Sequence, residues 1–304
     1  MLLDERSPDP REVTVILNEG SGTGANAQSG ERIQAMFAAA GWKAQIHLAN
    51  RSAPPDQLAR DAAARGVPII VAAGGDGTVC AVASALTGTG AILGVLPMGT
   101  LNHFARDMHI PLHLEGAVAT ITRGRTIKCD VGEVNGRIFV NNSSLGIYPS
   151  MVFERELQRR RTGRSKWTAL IWASLTVLRR LRSVRVRLNI NGETRIRKTP
   201  FVFVGNNEYE IEGLNVGRRA SLNSGHLSLY VAQPASRARL VWLSLIAIFG
   251  RLRTEKDFEV FRLEETWIET KRKRLRVSRD GEIDALRAPL HYRIRAGALR
   301  VLVP

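Results

Sequence analysis

Residues 68–78 read PIIVAAGGDGT, a continuous apolar run that ends in a glycine-rich turn. A strand that is apolar at every position has to be covered on both faces, and the usual way to do this is a parallel sheet flanked by helices. The surrounding residues keep that alternation. Val13–Leu17 reads as a strand ending at Asn18 and the stretch EGSGTGANAQSG, and Glu31–Ala40 reads as a helix. Ala44–Leu48 is a second strand, Gln57–Arg65 a helix, Pro68–Ala72 a buried strand, Thr78–Leu86 a helix and Ala91–Leu96 a further strand. Residues 1–131 are therefore expected to form a Rossmann-like α/β domain with a parallel sheet. Ligands of such sheets bind beyond the carboxyl ends of the strands, where both glycine-rich turns fall.

After Asp130 the texture changes. Ile138–Asn141, Val184–Ile190, Phe201–Val204, Leu227–Val231, Thr266–Glu269 and Leu275–Val277 are short, β-rich and separated by turn residues, as in NING and SRDGE. This pattern predicts an all-β antiparallel sandwich over residues 132–293, with residues 294–304 as a strand able to return to the first domain. Two helical segments interrupt it. Lys166–Leu181 sets Leu170, Ile171, Leu175, Leu178 and Leu181 near one face among arginines, and Arg239–Leu252 is apolar with a basic end. Such stripes serve either core packing or contact with a lipid interface.

The formal charge is +16, and its distribution says more than its size. Residues 1–130 hold 11 Lys+Arg against 12 Asp+Glu, which leaves 33 against 16 for residues 131–304. All of the positive excess lies in the second half, with Arg155, Arg159, Arg160, Arg161, Arg164 and Lys166 close together. Such a field draws anionic surfaces, either nucleic acid or acidic phospholipid, or simply keeps the chain in solution. The basic half lacks the aromatic interleaving, zinc spacing or recognition helix of a nucleic-acid binder, so no nucleic-acid partner is expected. Two cysteines, Cys80 and Cys129, are too few for a disulfide framework and fit a reducing cytoplasm. The start, MLLDERSPDP, has acids and prolines where a signal peptide has a basic start and an apolar run. The longest apolar stretch, Leu240–Phe249, is about half of what a bilayer-spanning helix needs.

GGDGT, Gly74–Thr78, is the sharpest chemical feature. Its glycines let the backbone approach phosphate oxygens, and the helix that follows aims free N–H groups at an anion. Asp76 stands where a carboxylate reaches a magnesium ion on those phosphates. The plainer alternative is a tight strand-to-helix turn with Asp76 as a cap.

NEGSG at 18–22, GGDGT at 74–78, PMGTLNHFARD at 97–107, CDVGEVNGRIFVNNSSLG at 129–146 and DGE at 280–282 together resemble the diacylglycerol kinase catalytic family. That family includes bacterial diacylglycerol kinases and sphingosine kinases, and the resemblance covers nearly the whole chain. It implies a first domain similar to those of NAD kinases and phosphofructokinases, with ATP in the cleft between the α/β domain and the sandwich. Asn18, Gly74, Gly75, Asp76, Gly77, Thr78, Gly99 and Thr100 are then the ATP-binding residues, with Mg²⁺ held at Asp76. Glu282 takes the place of the family's proton acceptor, with Asp280 beside it. A general base of this kind contributes roughly 10²–10⁴-fold in rate. Asp280-Gly281 is equally a good hairpin turn.

The resemblance further implies an ATP-dependent lipid kinase that acts on a hydroxyl of a membrane lipid, with diacylglycerol converted to phosphatidic acid. The enzyme would sit on the inner face of the cytoplasmic membrane, with the anionic lipid surface as its partner. Three departures stand against the family's pattern. Val79 and Cys80 replace the Asn-Glu that usually follows GGDGT, and Asn102-His103 replaces Asn-Asp. In the turn that often binds a structural cation this chain reads Leu222-Asn223-Ser224-Gly225-His226-Leu227. Ser224 brings no charge, so a cation there would rest on Ser221 and His226 carbonyls. The alternatives are an NAD kinase, which shares GGDGT, and a non-catalytic lipid- or nucleotide-binding protein of the same fold.

Overall fold

The computed structural model describes residues 11–19, 27–146, 184–190, 192–212, 215–219, 221–232 and 258–304. The two helical segments expected at Lys166–Leu181 and Arg239–Leu252 lie outside the described residues, as do the Arg155–Lys166 cluster and most of the glycine-rich stretch after Asn18. The chain divides into two compact units. One holds Met1–Val131 and Ala296–Pro304, the other Gly132–Arg295.

In the first unit the elements follow as β1 (Glu12–Asn18), α1 (Ala27–Ala39), β2 (Lys43–Ala49), α2 (Pro55–Ala64), β3 (Ile69–Gly74), α3 (Asp76–Leu86), β4 (Ile92–Pro97), α4 (His103–Asp107), α5 (Leu114–Arg123) and β5 (Arg125–Val134). The strand order is β2-β1-β3-β4, every pair parallel. All six residues of β3 are buried, as a strand with helices on both faces requires. α3 buries Val79, Val82, Ala83 and Leu86, one stripe at helical spacing. From β1 the chain crosses first to one side of the sheet and then to the other, so the topological switch point lies between β1 and β3. Asn18 ends β1 and Gly74 ends β3.

The second unit is antiparallel. Its strands are β6 (Arg137–Phe139), β7 (Asn142–Gly146), β8 (Val184–Ile190), β9 (Glu193–Thr199), β10 (Phe201–Asn206), β11 (Tyr209–Glu212), β12 (Asn215–Arg219), β13 (Leu227–Ala232), β14 (Phe258–Leu263), β15 (Glu265–Thr270), β16 (Arg274–Arg279), β17 (Glu282–Arg287) and β18 (Leu290–Val303). One sheet runs β14-β13-β10-β7-β16-β17. The other joins β9, β8 and β15 to the first residues of β18. Arg300 and Val301, further along β18, belong to the first unit and pair in parallel with its strand β4. Val186, Leu188 and Ile268 from one sheet and Leu145, Val204 and Leu229 from the other share one core, which makes this a sandwich.

The single strand expected over Ile138–Asn141 is divided instead. β6 ends at Phe139 and β7 begins at Asn142. In the gap between them, the Asp280 carboxylate takes the N–H groups of Val140 and Asn141, and also that of Asn142 at the start of β7.

Tyr292 is fully buried, and its hydroxyl meets Ser143 Oγ at 3.0 Å. Burial pushes its pKa well above the ordinary tyrosine value. Glu133, with 8% of its side chain exposed, accepts from Arg293 Nε and Arg295 Nη1, both at 2.9 Å. Burial alone would raise the Glu133 pKa, but the two guanidiniums outweigh it and hold the carboxyl below its ordinary range. A carboxylate lowered in this way adds stability above the unfolded-state pKa and loses it as pH falls through the folded-state value. Glu133→Gln should therefore cost about 1–3 kcal/mol in urea unfolding at about pH 7. The difference from wild type should shrink steadily once the pH drops below the ordinary glutamate range.

Candidate active site

Three loops of the first unit converge at the carboxyl ends of β1, β3 and β4. The turn after β3 has no room for side chains. A Cβ on Gly74 would lie 2.4 Å from Thr78 Oγ1, and one on Gly99 would lie 2.5 Å from Gly75 Cα. Gly75 precedes α3 without a side-chain cap, so the first-turn N–H groups of α3 have no intrahelical acceptor. Asn18 Nδ2 donates to Thr78 Oγ1 at 2.8 Å, tying β1 to the first turn of α3. Met98 N donates to Gly74 O at 2.9 Å, tying the β4 loop to the same turn.

Asn102 was not assigned a role from sequence, yet it shapes this site. Its Oδ1 accepts from Gly99 N at 3.0 Å and its Nδ2 donates to Gly99 O at 2.8 Å. Its own backbone is left-handed, with φ 51°, a conformation asparagine tolerates better than most residues. An asparagine three residues after a loop glycine was the available signal. Asp76, half-buried at the first position of α3, takes a long hydrogen bond from Phe104 N at 3.4 Å. Thr100 is exposed beside Gly99, and so is His103.

Glu282 and Asp280 belong to the second unit. Asp280 (φ 46°) and Gly281 (φ 90°) form the two-residue turn between β16 and β17, with Arg279 opposite Glu282. The Asp280 carboxylate accepts from Val140 N at 2.8 Å, Asn141 N at 2.7 Å and Asn142 N at 3.0 Å. A charge held by three backbone donors fixes the hairpin against the β6–β7 connection. Arg279 Nε donates to Asp284 Oδ2 at 2.6 Å across the same hairpin. Glu282 is exposed at the start of β17.

In the 221–227 turn, Ser224 N donates to Asn207 Oδ1 at 2.9 Å, and Ser224 Oγ also meets that oxygen. His226 Nδ1 meets Ser224 O at 3.0 Å, the His226 carbonyl accepts from Asn207 N at 3.2 Å, and Ser221 Oγ donates to Asn223 Oδ1 at 2.7 Å. Ser224 and the His226 carbonyl thus bond to Asn207, while the buried His226 Nε2 has no hydrogen-bond partner among the described residues. No group of three or more His, Cys, Asp or Glu side chains suited to a metal occurs among the described residues.

Residues 12–134 match the diacylglycerol kinase catalytic domain, and residues 154–303 match the YegS C-terminal NAD kinase beta sandwich-like domain. Together the two matches make the chain similar to the diacylglycerol kinase catalytic family over most of its length. Similar relatives include a diacylglycerol kinase of Bacillus subtilis (strain 168), 25% identical over 79% of this chain and 80% of the relative. Another, from Staphylococcus haemolyticus (strain JCSC1435), is 27% identical over 69% of this chain, which spans 64% of that relative's length. A solved structure of a diacylglycerol kinase from Bacillus anthracis str. Sterne superposes with a TM-score of 0.71 at 21% identity, covering 97% of both chains. That likeness bears on the fold, which is the family's two-part arrangement of a helix-flanked mixed sheet and an antiparallel β unit.

Asp280 and Glu282, two residues apart, should respond differently to mutation. Asp280→Ala leaves up to three backbone donors without their acceptor and should cost about 1–3 kcal/mol. Glu282→Gln, at an exposed position, should stay within about 0.5 kcal/mol of wild type. Thermal unfolding of the two variants side by side checks this.

Proposed function

We propose that this chain transfers the γ-phosphate of ATP to a hydroxyl of a membrane lipid, with diacylglycerol as acceptor and phosphatidic acid as product. The observation that carries the proposal is the side-chain-free turn at the switch point of the first unit, with Asp76 on the first position of α3. Backbone N–H groups at Gly75–Thr78 and the loop at Gly99 and Thr100 suit a polyphosphate, and Asn18 keeps the turn in place through Thr78. The cradle that a Cβ would fill, together with one half-buried carboxylate, fits a triphosphate carrying Mg²⁺ at Asp76. When bound, the metal neutralises charge on the phosphates. Ser221, Ser224 and His226 are not assigned a metal, since none of them brings a carboxylate.

In the same reading Glu282 accepts the proton of the acceptor hydroxyl. Asp280 is a positioning residue, since its carboxylate is spent on Val140, Asn141 and Asn142. The acceptor lives in a bilayer, and no helix among the described residues is long and apolar enough to cross one. Peripheral attachment to the anionic inner face of the cytoplasmic membrane is therefore part of the proposal.

The test is a labelled-ATP transfer assay against a panel of lipids in anionic micelles, with NAD as a parallel acceptor. Asp76→Ala should lower kcat by about 10²-fold or more while leaving the fold intact. Glu282→Gln should lower kcat by about 10²-fold or more with little change in the KM for ATP. Transfer to NAD but to no lipid, or either folded variant within a few fold of wild type, would refute the assignment.

A further inference from the structure

One end of the second unit collects cations without acids between them. β15 ends at Thr270 opposite Val186 of β8, and Arg185 pairs with Lys198 of β9 one step further along. The chain then turns through Lys271, Arg272 and Lys273 into Arg274, the first residue of β16. Arg185, Lys198, Lys271, Arg272, Lys273 and Arg274 are all exposed. On β15, Glu269 is held by Arg187 at 3.4 Å and Glu265 meets His291 at 3.2 Å, and Glu259 of the other sheet is held by Arg197 at 3.0 Å.

The open face of the adjoining sheet adds a second property. Side chains alternate along β8, β9 and β15, with Val186, Leu188 and Ile268 turned into the core. Arg185, Arg187, Ile196, Lys198 and Trp267 are therefore on the other face. Ile196 is 52% exposed and Trp267 39%. Trp267 stacks on His291 of β18, with ring centroids 3.8 Å apart and planes 4° from parallel, so its ring is held in a fixed orientation. Ile196 lies two residues from Lys198 on this face, and Trp267 lies further along it, past Glu269, which Arg187 holds, so the surface has both charge and interfacial apolar groups.

We infer that this face, the β9-β8-β15 surface with the 271–274 turn, docks on an anionic phospholipid bilayer. The inference rests on the lipid-kinase reading only in naming the bilayer as the acceptor's location; the charge and the apolar groups are independent of it. A second copy of the chain is a poor occupant, because a two-fold contact sets like patches against each other and here both would be cationic. A nucleic acid would satisfy the cations but leaves Ile196 without a partner. Lipid headgroups meet the cations while the interface takes the tryptophan and isoleucine.

The test is co-sedimentation of the full chain with vesicles of phosphatidylcholine alone or mixed with phosphatidylglycerol, alongside duplex DNA binding. Wild type should bind the mixed vesicles, ignore the neutral ones and release as salt is raised. K271E/R272E/K273E, confined to a surface turn, should lower partitioning by roughly a hundredfold or more. Trp267→Ala should weaken vesicle binding by several fold while leaving the salt dependence in place, with circular dichroism confirming that both variants fold. Equal binding to neutral and mixed vesicles, a triple variant that partitions like wild type, or a charge-dependent loss seen only on DNA would each overturn the inference. Phosphoryl transfer to a short-chain soluble acceptor, measured on the same samples, keeps the two proposals apart. Its retention by the triple variant accords with a docking role, and its absence from wild type strikes the kinase reading while leaving the vesicle result to stand alone.

Discussion

The candidate site of the first unit depends on two backbone segments passing with nothing between them. Any side chain on Gly99 would enter the volume of Gly75 Cα, 2.5 Å from the added atom. This approach lets Met98 N reach Gly74 O and brings the loop after β4 to the first turn of α3. Once the backbones are that close, the loop conformation must be held by something short. Asn102 does this by bonding both the N–H and the carbonyl of Gly99 while sitting in the left-handed region itself. The order of causes runs from glycine, to close approach, to an exposed helix start available to an anion.

In the second unit the comparable constraint is electrostatic. Asp280 holds the connection between β6 and β7 by drawing three consecutive N–H groups to its carboxylate. The same bonds fix the hairpin that presents Glu282. The hairpin-turn reading of Asp280-Gly281 and the functional reading of DGE are therefore compatible: the turn geometry belongs to Asp280 and Gly281, and the carboxylate left exposed belongs to Glu282.

How much of this the residues disclosed varied with the kind of force involved. The strands β1 to β4 and the helices between them were legible because continuous apolar runs and helical stripes report burial directly, as in Ile69–Gly74. β8 was legible to the residue, since VRVRLNI alternates cleanly. β9, with ETRIRKT, was passed over because it is an edge strand whose exposed positions carry charge. α5 was missed because its apolar positions, Ala117, Val118 and Ile121, are small or β-branched and make a weak stripe, even though Pro111 and Gly124 bound it. The Asp280 clamp and the Asn207 contact with Ser224 join residues far apart in sequence, and local pattern carries no trace of such pairs. The site glycines were legible because a tight backbone approach admits no other residue.

The distribution of charge bears on how the candidate phosphate site would work. Asn18, Gly74–Thr78 and Gly99–Asn102 include no lysine, arginine or histidine, and the one ionisable side chain among them is the acid Asp76. A polyphosphate at this place would meet backbone dipoles and an extra negative charge, an arrangement that is unfavourable without a cation. Peptide dipoles at a helix start amount to roughly half an elementary charge. On the proposed reading the remaining charge of a nucleotide would be met by a divalent ion, for which Asp76 is the carboxylate among these residues. The cations of the second unit, by contrast, are exposed on an open sheet face and turn, where they act over a surface instead of on a single ligand. On the proposed reading a concentrated anion in the first unit would be met by geometry and a metal, whereas the second unit's field suits an anion spread over an area.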